Sequence, residues 1–573
     1  MPRHLTPLHK AAADAVATHA GVPATDLKVV SPPRADMGDL AVGCHSFAKA
    51  MNTNPGAAAQ AIAAAFQPGS YLTSATAAGA FVNFRADRAA TFRWVIDAAL
   101  SGTLIPKTIG AGQPVCIDYS SPNISKHLAY HHIRSTVIGH ALVQTFRALG
   151  YRVIGINHLG DWGTTHGMLL AAWERWGDRI KGPLDVAALN DLYVDWRAAE
   201  KENPALATEA RAWFKRLESG EPAVRALWQK FRDVSLAEYQ EAYDLLGITF
   251  DEIRGESAYE PDMPGVLARL RAAGFVTESD GALVVELEGE KTPILLVTRD
   301  GTTLYATRDI AAAEYRWNTY HFTRSLYVVD RGQALHFRQL FKLLAKMGYE
   351  WAGKCEHVPF GLVRFNGLKT GTRAGNVVLL RHVFEDAQRL VRAKITEGES
   401  TMGAAQIDEV ARQVGIGGVV FANLAAQREK DQDFELARVV AFDGDSGAYL
   451  QYTHARCASI VRKAGDGVTS VEGIDTGLLV HDAEWAVARK LLDLPDVVVR
   501  AADACEPHVI CHYLLDLAGE FSRWYTAGNG DAALRVLVDD PALRRARLAL
   551  AAAVQAILRD GLALLGIAAP EQM

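Results

Sequence analysis

The chain has 573 residues, 49% hydrophobic and 22% charged, with a formal net charge of −6. This composition excludes a disordered or collagen-like chain, and at about 150 residues per domain the length implies three or four domains. No apolar run reaches about 18 residues, so no membrane span is expected, and Met1 to Gly21 lacks the apolar core and cleavage site of a secretory signal.

Leu8 to His19 reads as an amphipathic helix, Cys44 to Met51 and Pro55 to Phe66 as two more, and Ala80 to Arg85 alternates like a half-buried strand. The Gly- and Pro-rich stretch from Thr103 to Pro114 reads as a linker, so residues 1–110 form a small α/β module. Val115 to Tyr119 is a short buried-strand signal. A polar turn follows at Ser120 to Asn123, then a helical pattern through Ile133, Val137, Ala141 and Phe146 to Gly150. A second strand, Arg152 to Asn157, ends in His158-Leu159-Gly160-Asp161-Trp162-Gly163. Strand, turn, helix, strand opens a doubly wound parallel sheet, which binds ligands at the carboxyl ends of its strands. Residues 165–290 are mixed helical patterns rich in Trp and Glu, read as an insertion. Strands resume at Pro293 to Val297 and Leu326 to Val329, and alternation with helices runs to about residue 390. After Ile407 the pattern is almost wholly helical, and the last helix, Asp540 to Gly566, closes on a glycine cap. The plan is therefore 1–110, a small module; 111–400, a Rossmann-type domain carrying the insertion; and 401–573, a helical bundle.

Six cysteines, at 44, 116, 355, 457, 505 and 511, include no C-x-x-C pair. Neither a zinc site nor a disulfide framework is expected; reduced, buried thiols in a cytoplasmic protein are. The net charge argues against non-specific coating of nucleic acid, yet leaves room for a local basic groove.

Two polar clusters carry chemistry. Ser120 to Arg134 sits where a strand ends and a helix begins, a place where free backbone N–H groups favour an anion. Lys126, His127, His131, His132 and Arg134 add donors for charge developing on a phosphoryl group. Lys369 to Asn376 is a Gly-containing basic loop of the kind that closes over phosphates. Alone, each cluster also reads as a solvated polar turn or loop.

Together, with parallel-sheet patterns around both, they resemble the class I aminoacyl-tRNA synthetases, and the surrounding words narrow this to the arginyl-tRNA synthetase family. Ser120-Ser121-Pro122-Asn123-Ile124, Lys126 and Ile133 to Gly139 are similar to the region of the family's HIGH motif. Asn157 to Thr164 is similar to the segment that follows it. Arg373, Gly375, Asn376 and Val377 fall in the KMSKS loop. Ala448 to Tyr452, Glu506-Pro507-His508 and the ending Leu564 to Met573 resemble the anticodon-binding helical domain, and Met37 to Ala41 with Gly79 to Phe84 resemble the extra N-terminal domain.

The resemblance implies a multidomain α/β protein with a Rossmann-type catalytic domain and an all-α anticodon-binding bundle. It implies ATP-dependent activation of L-arginine and transfer of the arginyl group to the terminal ribose of arginine tRNA, with Mg²⁺ carried by the nucleotide, no dedicated metal site, no membrane, and a monomer. Lys126, His131, His132, Lys369 and Arg373 are the implied catalytic residues. Asn123, Glu256, Tyr305, Asp309 and Gln333 would bind arginine, since a guanidinium calls for paired carboxylates with an aromatic nearby. Ser121, His132, Gly160, Asp161, His336 and Lys369 would bind ATP, and Tyr449, Tyr452, Arg456 and Met573 would meet tRNA.

The sequence departs from the family's pattern. The four HIGH positions read Ala129-Tyr130-His131-His132, with Ala129 in place of the first His and His131 in place of the Gly that gives adenine close access. Either His131 or His127 is a candidate for the missing donor. The second Lys of KMSKS is absent, and Lys126, just ahead of HIGH, is the family's compensating residue. A lost transition-state donor costs roughly 3 kcal/mol, about a hundredfold in rate. Three other readings remain: a paralogue that passes arginine to a non-tRNA acceptor, a catalytically inactive tRNA-binding protein, and a plain adenylyltransferase.

Overall fold

The computed structural model describes residues 5–299, 305–365, 368–369, 378–398, 401–465 and 467–573. The first helix, Pro7–Ala20, starts at Thr6, whose hydroxyl accepts the His9 N–H at 3.2 Å, and stops at Gly21, in the left-handed conformation with φ 65°. It buries Leu8, Ala12 and Val16 against an antiparallel sheet of order β1-β2-β4-β3, built from β1 (Val29–Val30), β2 (Leu40–Gly43), β3 (Leu72–Ala78) and β4 (Phe81–Ala86). Where a helix is expected over Cys44 to Met51, β2 is followed by only a short 3₁₀ turn, Cys44–Ser46, and further turns. The turn keeps one helix-like bond, the Ala48 N–H on the Cys44 carbonyl at 2.9 Å, and buries Cys44, Phe47 and Ala48.

β5 (Pro114–Asp118), β6 (Arg152–Asn157) and β7 (Glu252–Ile253) open the central sheet, and β8 (Val276–Ser279), β9 (Ala282–Val285) and β10 (Ile294–Val297) form a separate antiparallel sheet. β11 (Arg324–Asp330) and β12 (Cys355–Phe360) complete the central sheet, which is parallel throughout and ordered β12-β11-β5-β6-β7. The order reverses between β5 and β11, so the carboxyl ends of these strands diverge into a crevice.

Two expectations change here. The stretch 165–290 is not one insertion, because β7 inside it pairs with β6. Its helical part, Thr164–Trp176, Val186–Glu202, Ala205–Glu218 and Pro222–Leu246, has its own core around Trp162, Trp196, Phe214 and Trp228. β10, expected in the strand–helix alternation, pairs antiparallel with β9 instead.

A third small sheet joins β13 (Val363–Phe365), β14 (Leu368–Lys369) and β15 (Gln432–Phe434). β15 is a strand within the region expected to be helical, drawn parallel to β13 by its register with Val363 to Phe365. The helices Gly447–Ala464, Asp482–Ala504, His508–Gly530 and Pro541–Leu564 then make the C-terminal bundle, and Gly566, φ 71°, closes the last as expected. The N-terminal module docks on this bundle: Trp485 Nε1 donates to Asp39 Oδ1 at 2.9 Å, and Arg88 pairs with Asp482 at 2.9 Å. All six cysteines are buried and unpaired. No helix among the described residues is long and apolar enough to cross a membrane.

One buried ion pair ties the central sheet to the crevice. Arg316 Nη2 donates to Asp118 Oδ2 at 2.7 Å with side chains only 1% and 7% exposed, while Asp118 Oδ1 accepts the Ser121 hydroxyl at 2.8 Å. Arg316→Met leaves the carboxylate buried without its cation. The catalytic domain is expected to lose about 3–5 kcal/mol in urea unfolding; a loss below about 1 kcal/mol would show that the pair does not hold this end of the sheet.

Candidate active site

The chain leaves β5 through a turn in which Ser120, Ser121 and Ser125 have φ of 69°, 48° and 65°. Left-handed backbone costs a non-glycine residue about 1–2 kcal/mol, so the surroundings must hold it. The Ser120 N–H donates to Ser135 Oγ at 2.9 Å, the Ser121 N–H to Asn157 Oδ1 at 3.1 Å and the Ser125 N–H to Ser235 Oγ at 2.8 Å. Strain of this kind concentrates at functional sites.

The turn is also zipped to the end of β6. The Gly160 N–H donates to the Pro122 carbonyl at 3.1 Å and the Ile124 N–H to the Gly160 carbonyl at 3.2 Å. A Cβ on Gly160 would sit 1.9 Å from Asn123 Oδ1, so only glycine lets Asn123 lie there. Asn123 is exposed and faces a cleft of about 400 Å³ that Ser121, Pro122, His131 and His132 line from one side and Val328, Asp330 and Gln333 from the other.

The helix Ile133–Ala148 begins just past the variant motif. Ala129 and Tyr130 are buried, the Tyr130 N–H donates to the Val378 carbonyl at 2.8 Å, and the Leu380 N–H donates to the Leu128 carbonyl at 3.1 Å. The motif thereby holds the start of the helix Leu380–Glu397, directly after the basic loop. His132 Nδ1 accepts the Ala129 N–H at 3.1 Å, and burial keeps its pKa well below the usual value. His131 packs its ring 4.0 Å from that of His132, and burial followed by the Lys126 charge lowers its pKa too. His127 points elsewhere: its Nδ1 is 3.0 Å from Glu238, a bond that raises its pKa. Lys126 Nζ lies 4.7 Å over the Tyr193 ring. Lys369 is placed by its backbone on β14; Arg373 and residues 370–377 lie outside the described residues.

Beyond Gly160 sits a second group. Glu256 is buried with Oε2 3.4 Å from Arg308 Nε, and burial pushes its carboxyl up to about 8 despite that guanidinium. Asp309, on the helix Tyr305–Tyr320, bonds His336 Nε2 at 2.6 Å and lies 3.9 Å from His158 Nε2. Burial opposes its charge, but His336, His158 and Arg308 bring its pKa below the ordinary value. Tyr305 is 60% exposed beneath the Arg308 guanidinium, at 4.7 Å.

Three expected nucleotide contacts are placed otherwise. Asp161 is 0% exposed and accepts from the Ser257 N–H at 2.8 Å, the Ser257 hydroxyl at 2.9 Å and Arg232 Nε at 3.2 Å, so it fixes the turn bearing Glu256 instead of reaching the cleft. His336 is engaged by Asp309. The Ser121 hydroxyl is given to Asp118, although the residue lines the cleft. Arg308 and His158, which pair with the two acids, escaped the sequence reading; the signal was their place beside Asp309 and at the end of β6.

In the C-terminal bundle, Tyr449 is half-buried with its hydroxyl 3.0 Å from Ser522 Oγ. Tyr452 is exposed, and Arg456 lies over its ring at 4.7 Å and over Tyr525, another residue the sequence did not suggest, at 5.1 Å. Met573 is half-buried against the core, its segment held by Gln451 Nε2 on the Ala568 carbonyl at 2.8 Å.

A parallel sheet with its crevice at the order reversal, a histidine motif leading into the first crossover helix and, bonded to that motif, the residues that follow a basic sequence define a class I aminoacyl-tRNA synthetase. Residues 95–436 match the family model for class I (R) tRNA synthetases, catalytic domain; 6–86 match the arginyl tRNA synthetase N terminal domain, and 450–573 the DALR anticodon binding domain. The chain is 42% identical over 548 residues to the arginine–tRNA ligase of an Exiguobacterium species and 38% over 546 residues to that of Halothermothrix orenii, covering 95% of each chain. Its fold superposes on the Thermus thermophilus arginyl-tRNA synthetase with a TM-score of 0.84 at 27% identity, covering 99% of this chain and 100% of that one. The chain belongs to the arginyl-tRNA synthetase family.

Gly160→Ala must displace Asn123 from the cleft wall. A misplacement of about 1 Å at a reacting centre costs roughly a hundredfold, so kcat/KM for arginine activation is expected to fall by about that factor with little change in Tm. Wild-type kinetics would show that the Asn123 placement is dispensable.

Proposed function

We propose that this chain activates L-arginine with ATP at the β5–β11 crevice and passes the arginyl group to the 3′-terminal ribose of arginine tRNA. The observation that carries the reading is the pair of carboxylates, Glu256 and Asp309, beside a cleft flanked by Lys126, His131 and His132. A guanidinium is the ligand for which two acids and an aromatic suit a planar fork of donors.

Arginine's side chain enters between Glu256 and Asp309 with Tyr305 over it, and Asn123 and Gln333 take its amino and carboxylate end. An arginine carboxylate oxygen attacks the α-phosphorus, forming the O–P bond while the bridging oxygen to the β-phosphorus leaves as pyrophosphate. Lys126, His131, His132, Lys369 and Arg373 stabilise that charge; catalysis is positioning and electrostatics. A tRNA ribose hydroxyl then attacks the arginyl carbonyl carbon, AMP departs with the anhydride oxygen, and the hydroxyl proton goes to solvent. Asp330 is the one carboxylate lining the cleft among the described residues, a donor set that fits Mg²⁺ bound chiefly through the nucleotide's own phosphates, where it neutralises charge on the leaving group. Tyr452 and Arg456, with Tyr525, offer a surface for unstacked anticodon bases, Tyr449 and Met573 backing it. We place the enzyme in the cytoplasm, acting as a monomer.

The test is aminoacylation of bulk tRNA with labelled arginine, beside arginine-dependent pyrophosphate exchange with and without tRNA. Charging is expected. Exchange without charging would transfer the reading to another acceptor, and silence in both would overturn it.

Glu256 gives a pH signature. Its carboxyl is neutral below about pH 8, and a guanidinium binds the carboxylate, so arginine binding near pH 7 must expel a proton. The arginine KM is expected to fall as pH rises through 8, and titration calorimetry in buffers of different ionisation enthalpy should register proton release. Glu256→Gln should abolish both effects; their persistence would remove Glu256 from the pocket.

A further inference from the structure

The variant motif has lost a donor at Ala129 and gained an imidazole two residues on, and the three histidines near it differ in what their rings are doing. His127 is bonded through Nδ1 to Glu238 at 3.0 Å and faces away from the cleft lining. His132 lines the cleft but uses Nδ1 to accept the Ala129 N–H at 3.1 Å, which fixes its ring against its own backbone. His131 also lines the cleft, and its buried Nδ1 has no hydrogen-bond partner.

That unpartnered nitrogen sets the tautomer. A proton on Nδ1 would strand a donor in a dry site, and leaving a buried N–H unmade costs about 1–3 kcal/mol. Placing the proton on Nε2 avoids that stranded N–H. His131, whose pKa is lowered by burial and by the Lys126 charge, is then a neutral imidazole at the cleft wall with its N–H on Nε2. A neutral donor beside a fixed cation suits an oxygen that gains negative charge during reaction.

We propose that His131 donates from Nε2 to a phosphoryl oxygen of the bound ATP and so replaces the donor that Ala129 cannot supply. The glycine usual at this position is thus exchanged for a working group and not for an obstruction. The inference rests on the proposed activation of arginine, and it concerns this chain's departure from its family's motif.

The test uses the full-length protein in pyrophosphate exchange and tRNA charging. Wild-type activity is measured first; its absence would defeat the proposed function itself. In an active enzyme, His131→Gly is expected to lower kcat for activation about a hundredfold with arginine KM within twofold and Tm within a few degrees. His131→Gly acting as fast as wild type, or faster, overturns the proposal, because the histidine would then only crowd the nucleotide. Should the glycine variant fold poorly, His131→Gln is read against His131→Ala. The amide keeps an N–H at similar reach, so activity at least fivefold above the alanine variant supports the donor, and equality of the two overturns it.

Discussion

The arrangement depends on the zip between the ends of β5 and β6. Two backbone hydrogen bonds, Gly160 N–H to Pro122 and Ile124 N–H to Gly160, hold two polar loops at one spacing. Everything chemical hangs from that seam. Upstream, the strained serine turn leads to His131 and His132, just ahead of the helix Ile133–Ala148. Downstream, Asp161 and the Leu159 carbonyl, which accepts the Glu256 N–H at 3.0 Å, set the turn that presents Glu256. Glycine is demanded here by the Asn123 side chain and not by φ, which makes position 160 a packing constraint on the site.

The acids beside the seam already have cations of their own. Arg308 stands against Glu256 and His336 against Asp309. Burying an unpaired carboxylate is expensive, so these two acids need internal partners or protonation, and both are used. Glu256 is largely neutral near pH 7, while Asp309 stays ionised through His336. On the proposed reading, an incoming guanidinium would meet one carboxylate ready and one that must lose its proton, and a neutral side chain of similar length would offer nothing to draw that proton off.

The sheet was legible because its strands are short apolar runs ending in polar turns; β5, β6 and the helix between them fall where the pattern puts them. Less legible was anything decided by pairing partners far away in sequence. β15 looks like a break in a helical region until β13 lies beside it, and Cys44 to Met51 has helical spacing yet forms only a short 3₁₀ turn and further turns. For the site, the motif named Asn123, His131 and His132, which line the cleft, and the resemblance named Glu256, which lies buried beside Arg308. It could not tell that Asp161 is wholly buried or that His336 bonds Asp309, because a polar residue beside a motif has the same spelling whether it faces ligand or backbone.

The variant motif makes sense in terms of where Ala129 lies. It is 1% exposed, forms a backbone bridge with Leu379, and stands next to the Tyr130 and Leu380 hydrogen bonds that fasten the helix after the basic loop. A methyl group suits such a packed seam, and Tyr130 reinforces it by filling the core and accepting from Asn423 Nδ2 at 3.1 Å. The first half of the motif has thus been given over to packing that joins the two basic segments. Its second half, His131 and His132, is what remains at the cleft wall, so the motif's polar groups at the cleft are two adjacent rings, one of them bonded to its own backbone.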